Sequence, residues 1–227
     1  MYKVYDNPPL YFLDNYDFPD QNENYENGFA GASRDLDPQR LLNGYSKGFF
    51  PWYQAEDGMF HWYLPSYRMI LKTDEVKKTK NLRKKLRSDN WDFSINQHFK
   101  EVITNCATIT RPHHMGGNWI SKEFIKYYTQ LHELGFGISV ESYYKGELVG
   151  GFYGVGIGKY FSGESMFAQK SDASKLALLY FCDLCVENGI EWIDCQTGTE
   201  HLERMGAKKI TKTTFLEMLD KAIKGKK

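Results

Sequence analysis

Residues 137–167, GISVESYYKGELVGGFYGVGIGKYFSGESMF, carry the pattern that decides the fold. Gly137 to Tyr144 and Glu147 to Val155 alternate apolar with small or polar residues, and Lys145-Gly146 between them supplies a two-residue turn, so the pair predicts a β-hairpin. A third strand, Lys159 to Ser162, follows Gly158. Downstream, Ser171 or Asp172 opens the most apolar helix of the chain, which runs through Glu187 and stops at Gly189. A strand from Ile190 to Cys195, a short helix from Thr199 to Met205 and a strand from Lys208 to Phe215 complete the C-terminal part. Upstream, Ser121 caps a helix whose apolar positions Phe124, Tyr128, Leu131 and Leu134 step by three or four, and residues 97–106 form another with Phe99, Val102, Ile103 and Cys106 inward. This order predicts an α+β fold, a mixed sheet with helices packed on its faces.

Toward the N-terminus, Asp37-Pro38 opens a helix with the aspartate as N-cap and the proline at the first helical position, Leu41, Leu42 and Tyr45 form its apolar face, and Gly48 ends it. Phe49-Phe50-Pro51-Trp52 leads into a short aromatic segment, Met59 to Leu64, and Met69 to Lys72 reads as a strand. A boundary near residue 72 divides a small N-terminal domain, residues 1–72 with an irregular acidic arm, from a larger domain, residues 73–227. The basic stretch that follows reads as a helix with Val76, Leu82 and Leu86 as its apolar contacts.

The chain has 227 residues, and its 41 % hydrophobic and 26 % charged content excludes a disordered polypeptide. The longest apolar run, Leu176 to Cys182, is seven residues; a membrane helix needs roughly 18–20, so no span is expected. Neither a basic start nor an apolar stretch follows Met1, so a secretory signal is not expected and a cytoplasmic location fits. Four scattered cysteines read as free thiols. The formal charge is zero, yet its distribution is uneven: residues 1–30 hold six acids against Lys3, and residues 72–87 hold eight bases, Arg83, Lys84 and Lys85 among them, against Asp74 and Glu75. A basic cluster of that density is an anion-binding candidate, with a solvated helix face as the plainer alternative.

Two carboxylates stand among apolar and small neighbours: Glu164 in Phe161-Ser-Gly-Glu-Ser-Met-Phe167, and Asp194 in Trp192-Ile-Asp-Cys-Gln196. Each falls near the end of a predicted core strand, and positions 194 and 196 share one face of an extended segment, so Glu164, Asp194 and Gln196 are expected to face one pocket with Cys195 pointing away. Cys182 and Cys185 have metal-like spacing but lie within an apolar helix without a second pair of ligands, His113-His114 lacks the spacing of zinc hydrolases, and no P-loop is present; no metal site is expected.

Seven segments in order, Lys47-Gly-Phe-Phe-Pro-Trp52, Trp62-Tyr-Leu-Pro65 with Arg68, Asn118-Trp-Ile120, Leu148 to Val155, Phe161 to Phe167, Asp172-Ala-Ser-Lys175, and Ile193-Asp-Cys-Gln196 with His201-Leu202, resemble the bacterial leucyl/phenylalanyl-tRNA protein transferases over residues 30–215. The resemblance implies an acetyltransferase-like mixed sheet behind a small N-terminal domain, and transfer of Leu or Phe, with Met as a further donor, from aminoacyl-tRNA to proteins beginning with Lys or Arg, marking them for degradation. It implies Asp194, Gln196 and Glu164 as the catalytic constellation, Phe152, Met166, Leu178 and Ile193 as a side-chain pocket, and Trp62 or Tyr63 with Trp119 as aromatics that hold the 3′-terminal adenosine. An acetyl-CoA enzyme of this fold would carry a glycine-rich phosphate loop where this chain has Gln169-Lys-Ser-Asp-Ala-Ser174, so the acyl donor is something else. No cofactor is implied, and a monomer is expected. Two other readings share the pattern: a transferase of the same fold that modifies cell-wall peptides, and a non-catalytic RNA-binding protein.

Overall fold

A computed structural model describes residues 18–109 and 119–224. The chain runs β1 (Phe29–Ser33), α1 (Pro38–Ser46), β2 (Phe50–Gln54), β3 (Phe60–Tyr63), β4 (Tyr67–Lys72), α2 (Lys80–Leu86), β5 (Trp91–Ile95), α3 (Phe99–Thr108), α4 (Lys122–Glu133), β6 (Gly137–Tyr144), β7 (Glu147–Ile157), β8 (Tyr160–Ala168), α5 (Ala173–Glu187), β9 (Trp192–Asp194), α6 (Glu200–Met205), β10 (Lys208–Thr211) and α7 (Lys212–Lys224). Two sheets result: a small one in the order β1-β3-β2, and a seven-stranded one in the order β10-β4-β9-β8-β7-β6-β5. In the large sheet β8 and β9 pair in parallel across the α5 crossover and every other pairing is antiparallel, so the expected α+β mixed sheet is present.

Local chemistry explains the elements that position the site. Lys145 and Gly146 both take positive φ, 54° and 84°, the combination a two-residue hairpin turn needs to match strand twist. Gly154 in β7 is required by a close approach: a Cβ there would meet the Ser162 carbonyl oxygen at 2.2 Å. Side chains alternate across β7, so Phe152 joins the core under α5 with Ile138 and Val140, while Tyr153 and Val155 join Phe99, Val102, Phe124 and Leu131 of α3 and α4 on the other face. The apolar α5 is accordingly buried almost throughout its length.

Several expectations shift. β4 hydrogen-bonds between β9 and β10 in the large sheet, so the division between the two sheets falls before Tyr67 and not near residue 72. The basic stretch is helical only over α2, because Thr79 accepts the Leu82 N–H and starts the helix there. Leu134 is exposed past the end of α4. The last strand stops at Thr211, whose hydroxyl accepts the Thr214 N–H and starts α7, placing Phe215 in a helix. β1 and β5 are strands beyond those expected. The histidine pair His113-His114, Asn118 and most of the acidic arm lie outside the described residues. Among the described residues, no helix is long and apolar enough to cross a membrane.

Where β4 meets β9, Arg68 and Asp194 form a buried, two-pronged ion pair, 1 % and 0 % exposed. Nε donates to Oδ1 at 2.8 Å and Nη2 to Oδ2 at 2.7 Å. The guanidinium lies between the rings of Phe50 and Phe215, 4.6 and 4.4 Å from their centroids. It therefore ties the small sheet and α7 to the large sheet. Removing one partner strands the other charge, whereas removing both does not. Arg68→Met is expected to lower the free energy of urea unfolding by about 3–5 kcal/mol, and Arg68→Met with Asp194→Leu to recover part of that loss.

Candidate active site

A cavity of about 700 Å³ opens between the strand β2 of the small sheet and the middle of β8 and the end of β9 in the large one. All four residues expected to form a side-chain pocket, Phe152, Met166, Leu178 and Ile193, line it, together with Glu164 and Gln196. Trp52, Tyr53, Trp119, Cys195 and His201 line it as well.

Glu164 reaches this cavity through a break in strand pairing. Tyr153 pairs with Ser165 and Gly154 with Gly163, which leaves Glu164 as the unpaired extra residue of a β-bulge in β8. Its Oε1 accepts from Gln196 Nε2 at 2.7 Å and from Ser162 Oγ at 3.2 Å, and its Oε2 accepts from the Tyr128 hydroxyl at 3.3 Å. Tyr128 in turn meets Tyr45 of α1 at 2.5 Å between hydroxyl oxygens. Burial pushes the Glu164 carboxyl up to about 7, against hydrogen bonds that pull it down and with the charge of Asp194 pushing the same way.

Asp194 has a different place from the one expected. It is fully buried and absent from the cavity wall. Its two oxygens accept four bonds: from Arg68 twice, from the Tyr160 hydroxyl at 2.7 Å, and from the Gln196 backbone N–H at 2.8 Å. A carboxylate so occupied has no site left for a substrate proton. The last of these bonds fixes Gln196, whose φ of 56° lies in the left-handed region. The chain thus bends after Asp194, so 194 and 196 do not share an extended face, and only the Gln196 side chain joins Glu164 at the cavity. The same bend turns Cys195 toward the cavity wall rather than away from it; burial raises its thiol far above the ordinary range, so a nucleophilic thiolate is not favoured.

The aromatic expectations divide. Trp62 is 3 % exposed, its Nε1–H bonds the Ser33 hydroxyl at 2.9 Å, and its ring packs on Gly44; it is core and offers no face to a base. Tyr63 is half-buried and touches Trp52, with ring centroids 4.9 Å apart. Trp119 lines the cavity, edge-on to Phe124. Trp52, which belongs to one of the seven segments but has no role assigned from sequence, is 39 % exposed on the cavity wall. It is the unpaired residue of a bulge in β2, between the pairs Pro51–Trp62 and Tyr53–His61. Tyr45, Tyr128 and Ser162 carry no signal in the sequence either, because only the fold brings them to Glu164.

Of the basic residues, Arg83 and Lys84 are exposed on α2, whereas Lys85 is bonded to Asp172 at 2.7 Å, which also binds Lys175 at 2.9 Å. Lys78 pairs with Asp183. Part of the cluster therefore anchors α2 to α5. His201 is lowered below its ordinary pKa by burial and by Lys175 and Arg204, so it is neutral at pH 7.

Comparison with known proteins adds to this geometry. The leucyl/phenylalanyl-tRNA protein transferase profile matches residues 70–220, and the profile of that family's N-terminal domain matches residues 34–66. A leucyl/phenylalanyl-tRNA–protein transferase from Dechloromonas aromatica is 44 % identical over 83 % of this chain and 80 % of its own. One from Neisseria meningitidis serogroup B is 41 % identical over 93 % and 90 %. Among solved structures, a GCN5-related N-acetyltransferase-like protein from Streptococcus suis aligns with 64 % of this chain and 59 % of its own at 16 % identity and a TM-score of 0.31.

The raised Glu164 pKa has a sign that can be checked. The native state holds a proton up to about 7, whereas the unfolded carboxyl releases it near 4.5, so this group costs the folded state increasing stability as pH rises through that window, and a constant amount above it. Glu164→Gln is expected to gain stability relative to the parent across that window and then level off, measured by urea unfolding at a series of pH values. A difference that stays constant across it would place the carboxyl at its ordinary pKa.

Proposed function

The chain belongs to the leucyl/phenylalanyl-tRNA protein transferase family, and on that premise we propose that it moves Leu or Phe, with Met as a further donor, from aminoacyl-tRNA to the N-terminal Lys or Arg of acceptor proteins, marking them for degradation by the N-degron pathway. The observation that carries this reading is the placing of Phe152, Met166, Leu178 and Ile193 in one cavity with the Glu164–Gln196 pair. An apolar side chain without a β-branch, such as that of Leu or Phe, fits such walls, and selection by shape is worth only about 1–3 kcal/mol per methylene. The α-ammonium of the donor lies one carbon from that side chain, so Glu164, next to the apolar wall, is the group to bind it.

The aminoacyl ester is already activated, so the reaction needs orientation and proton management and no cofactor. A C–N bond forms between the acceptor's amine and the ester carbonyl carbon, the C–O bond to the ribose 3′-oxygen breaks, and the amine's proton ends on that oxygen. Gln196 commits its Nε2 to Glu164 and Ser162, and its amide oxygen accepts an N–H of the attacking amine and aims the lone pair at the carbonyl. An amide has almost no proton affinity, and Asp194 is saturated. The proton therefore travels by the tRNA's own ribose hydroxyl or phosphate. Asp194 is a positioning residue that acts through the Gln196 backbone. Trp119 and Trp52 offer rings to the terminal adenine, and Arg83 and Lys84 offer charge to the acceptor stem. The same reading puts a monomer in the cytoplasm, where charged tRNA and its acceptors meet.

Purified protein with Leu-tRNA and peptides differing only in the first residue should yield product with Arg or Lys in that position; no product with any charged tRNA, beside an active control enzyme, overturns the reading. Gln196→Ala should cut turnover by about 10² and leave the Kd of Leu-tRNA nearly unchanged. Replacing Arg83 and Lys84 by Ala should weaken Leu-tRNA and Phe-tRNA equally and reduce the slope of log affinity against log salt by about 0.9 for each duplex phosphate that is no longer neutralised. Wild-type affinity at low and moderate salt would make α2 a solvated face.

A further inference from the structure

The outer face of the small sheet carries a run of aromatic rings, of which the reading above uses Trp52 alone. Phe29 of β1 lies 5.0 Å from His61 and 5.7 Å from Tyr63 of β3, centroid to centroid. Tyr53 of β2 lies 4.9 Å from His61, and Trp52 lies 4.9 Å from Tyr63. The strand β3 alternates, with Phe60 and Trp62 buried on one side and His61 and Tyr63 turned outward on the other. Phe29 and Trp52 are 41 % and 39 % exposed, so the rings are not filling a core. Their interplanar angles lie between 41° and 74°, so they are not used up in parallel stacks with one another. One end of the run, Trp52 and Tyr53, is also wall of the catalytic cavity.

That continuity sets the occupant. A surface of successive rings leading away from the site of an aminoacyl adenosine matches a single strand of nucleotides, since every base has a π-face and stacks with little regard to sequence. We propose that this face holds the unpaired nucleotides next to the terminal adenosine of the donor tRNA; the proposal rests on the donor assignment above. The adjoining β2–β3 turn carries Glu56 and Asp57, which repel phosphates, so the attraction is stacking and not charge.

The test compares two amide-linked, non-hydrolysable ligands, phenylalanyl-adenosine and the phenylalanyl-CCA trinucleotide. The trinucleotide is expected to bind about tenfold tighter or better, by a ratio that salt changes little. The variant Phe29→Leu with His61→Leu keeps bulk but removes two of the five rings; it should lower the ratio severalfold and leave the Kd of phenylalanyl-adenosine unchanged. Phe29→Tyr with His61→Phe should restore the ratio, which separates loss of stacking from loss of folding. Equal affinities in the parent protein, or an undiminished ratio in the leucine variant, overturn the proposal alone. Failure of phenylalanyl-adenosine itself to bind overturns the donor assignment and the proposal with it. A parent dimer that the leucine variant turns into monomer, with the ratio unchanged, would make the face a contact between two copies and also overturn it.

Discussion

The buried pair of Arg68 and Asp194 constrains the rest of the structure. Two charges removed from water must find partners in each other and in their surroundings, and here the carboxylate accepts four bonds while the guanidinium, whose Nη1 has no hydrogen-bond partner among the described residues, is held between two aromatic rings. Each partner belongs to a different part of the molecule: Arg68 to β4, Asp194 to the end of β9, Tyr160 to β8, Phe50 to the small sheet and Phe215 to α7. Meeting one buried charge therefore fixes the positions of five elements. One of the four bonds goes to a backbone N–H and holds Gln196 in a conformation that a free residue of that type rarely adopts. A stabilising interaction beneath the floor of the cavity thus sets the direction of a side chain on its surface.

Three irregularities of the backbone meet at the same place. Glu164 is the extra residue of the bulge in β8, Trp52 that of the bulge in β2, and Gln196 carries a left-handed φ where β9 ends. A regular strand sends alternate residues to opposite faces, and a bulge is the simplest way to aim an additional side chain along one face without losing the sheet. The glycines around the β8 bulge allow it, since Gly154 could not carry a Cβ beside the Ser162 carbonyl.

These features also explain what the sequence could and could not disclose. Hairpin, caps and the apolar α5 are legible because their signals are local: Gly146 readily takes the left-handed conformation the turn needs, and Asp37 and Ser121 cap the helices they precede. The four pocket residues are legible through the family resemblance. Trp62 lies in the core instead of at the base site, and Trp52, which has no expected role, lies on the cavity wall, because the choice between core and surface depends on strand register and a single bulged residue reverses it. β5 has a period-two signal, Trp91, Phe93 and Ile95 alternating with Asp92 and Ser94, that the expected elements leave out. Asp194 is expected at the cavity because a carboxylate beside Gln196 looks catalytic in one dimension. Its partner Arg68 is 126 residues away in the chain, and only the pairing of β4 with β9 shows that the carboxylate is already occupied.

The small sheet is thus part of the site and not an appendage to it. Tyr45 of α1 reaches Tyr128 of α4, which reaches Glu164, while Phe50 covers Arg68 and Trp52 walls the cavity. Burial is the largest cause of the raised Glu164 pKa, and the residues that bury it come from both sheets. A carboxyl poised near 7 is one whose ionised form lacks a counter-charge, and no lysine or arginine is among the described residues that line the cavity. An ammonium arriving beside it supplies that charge, lowers the pKa and so binds more tightly than it would to an exposed carboxylate already compensated by water. On the proposed assignment of Glu164 to the donor's α-ammonium, its unfavourable burial in the free protein is the physical basis for recognising a cation beside the apolar and aromatic part of the cavity wall.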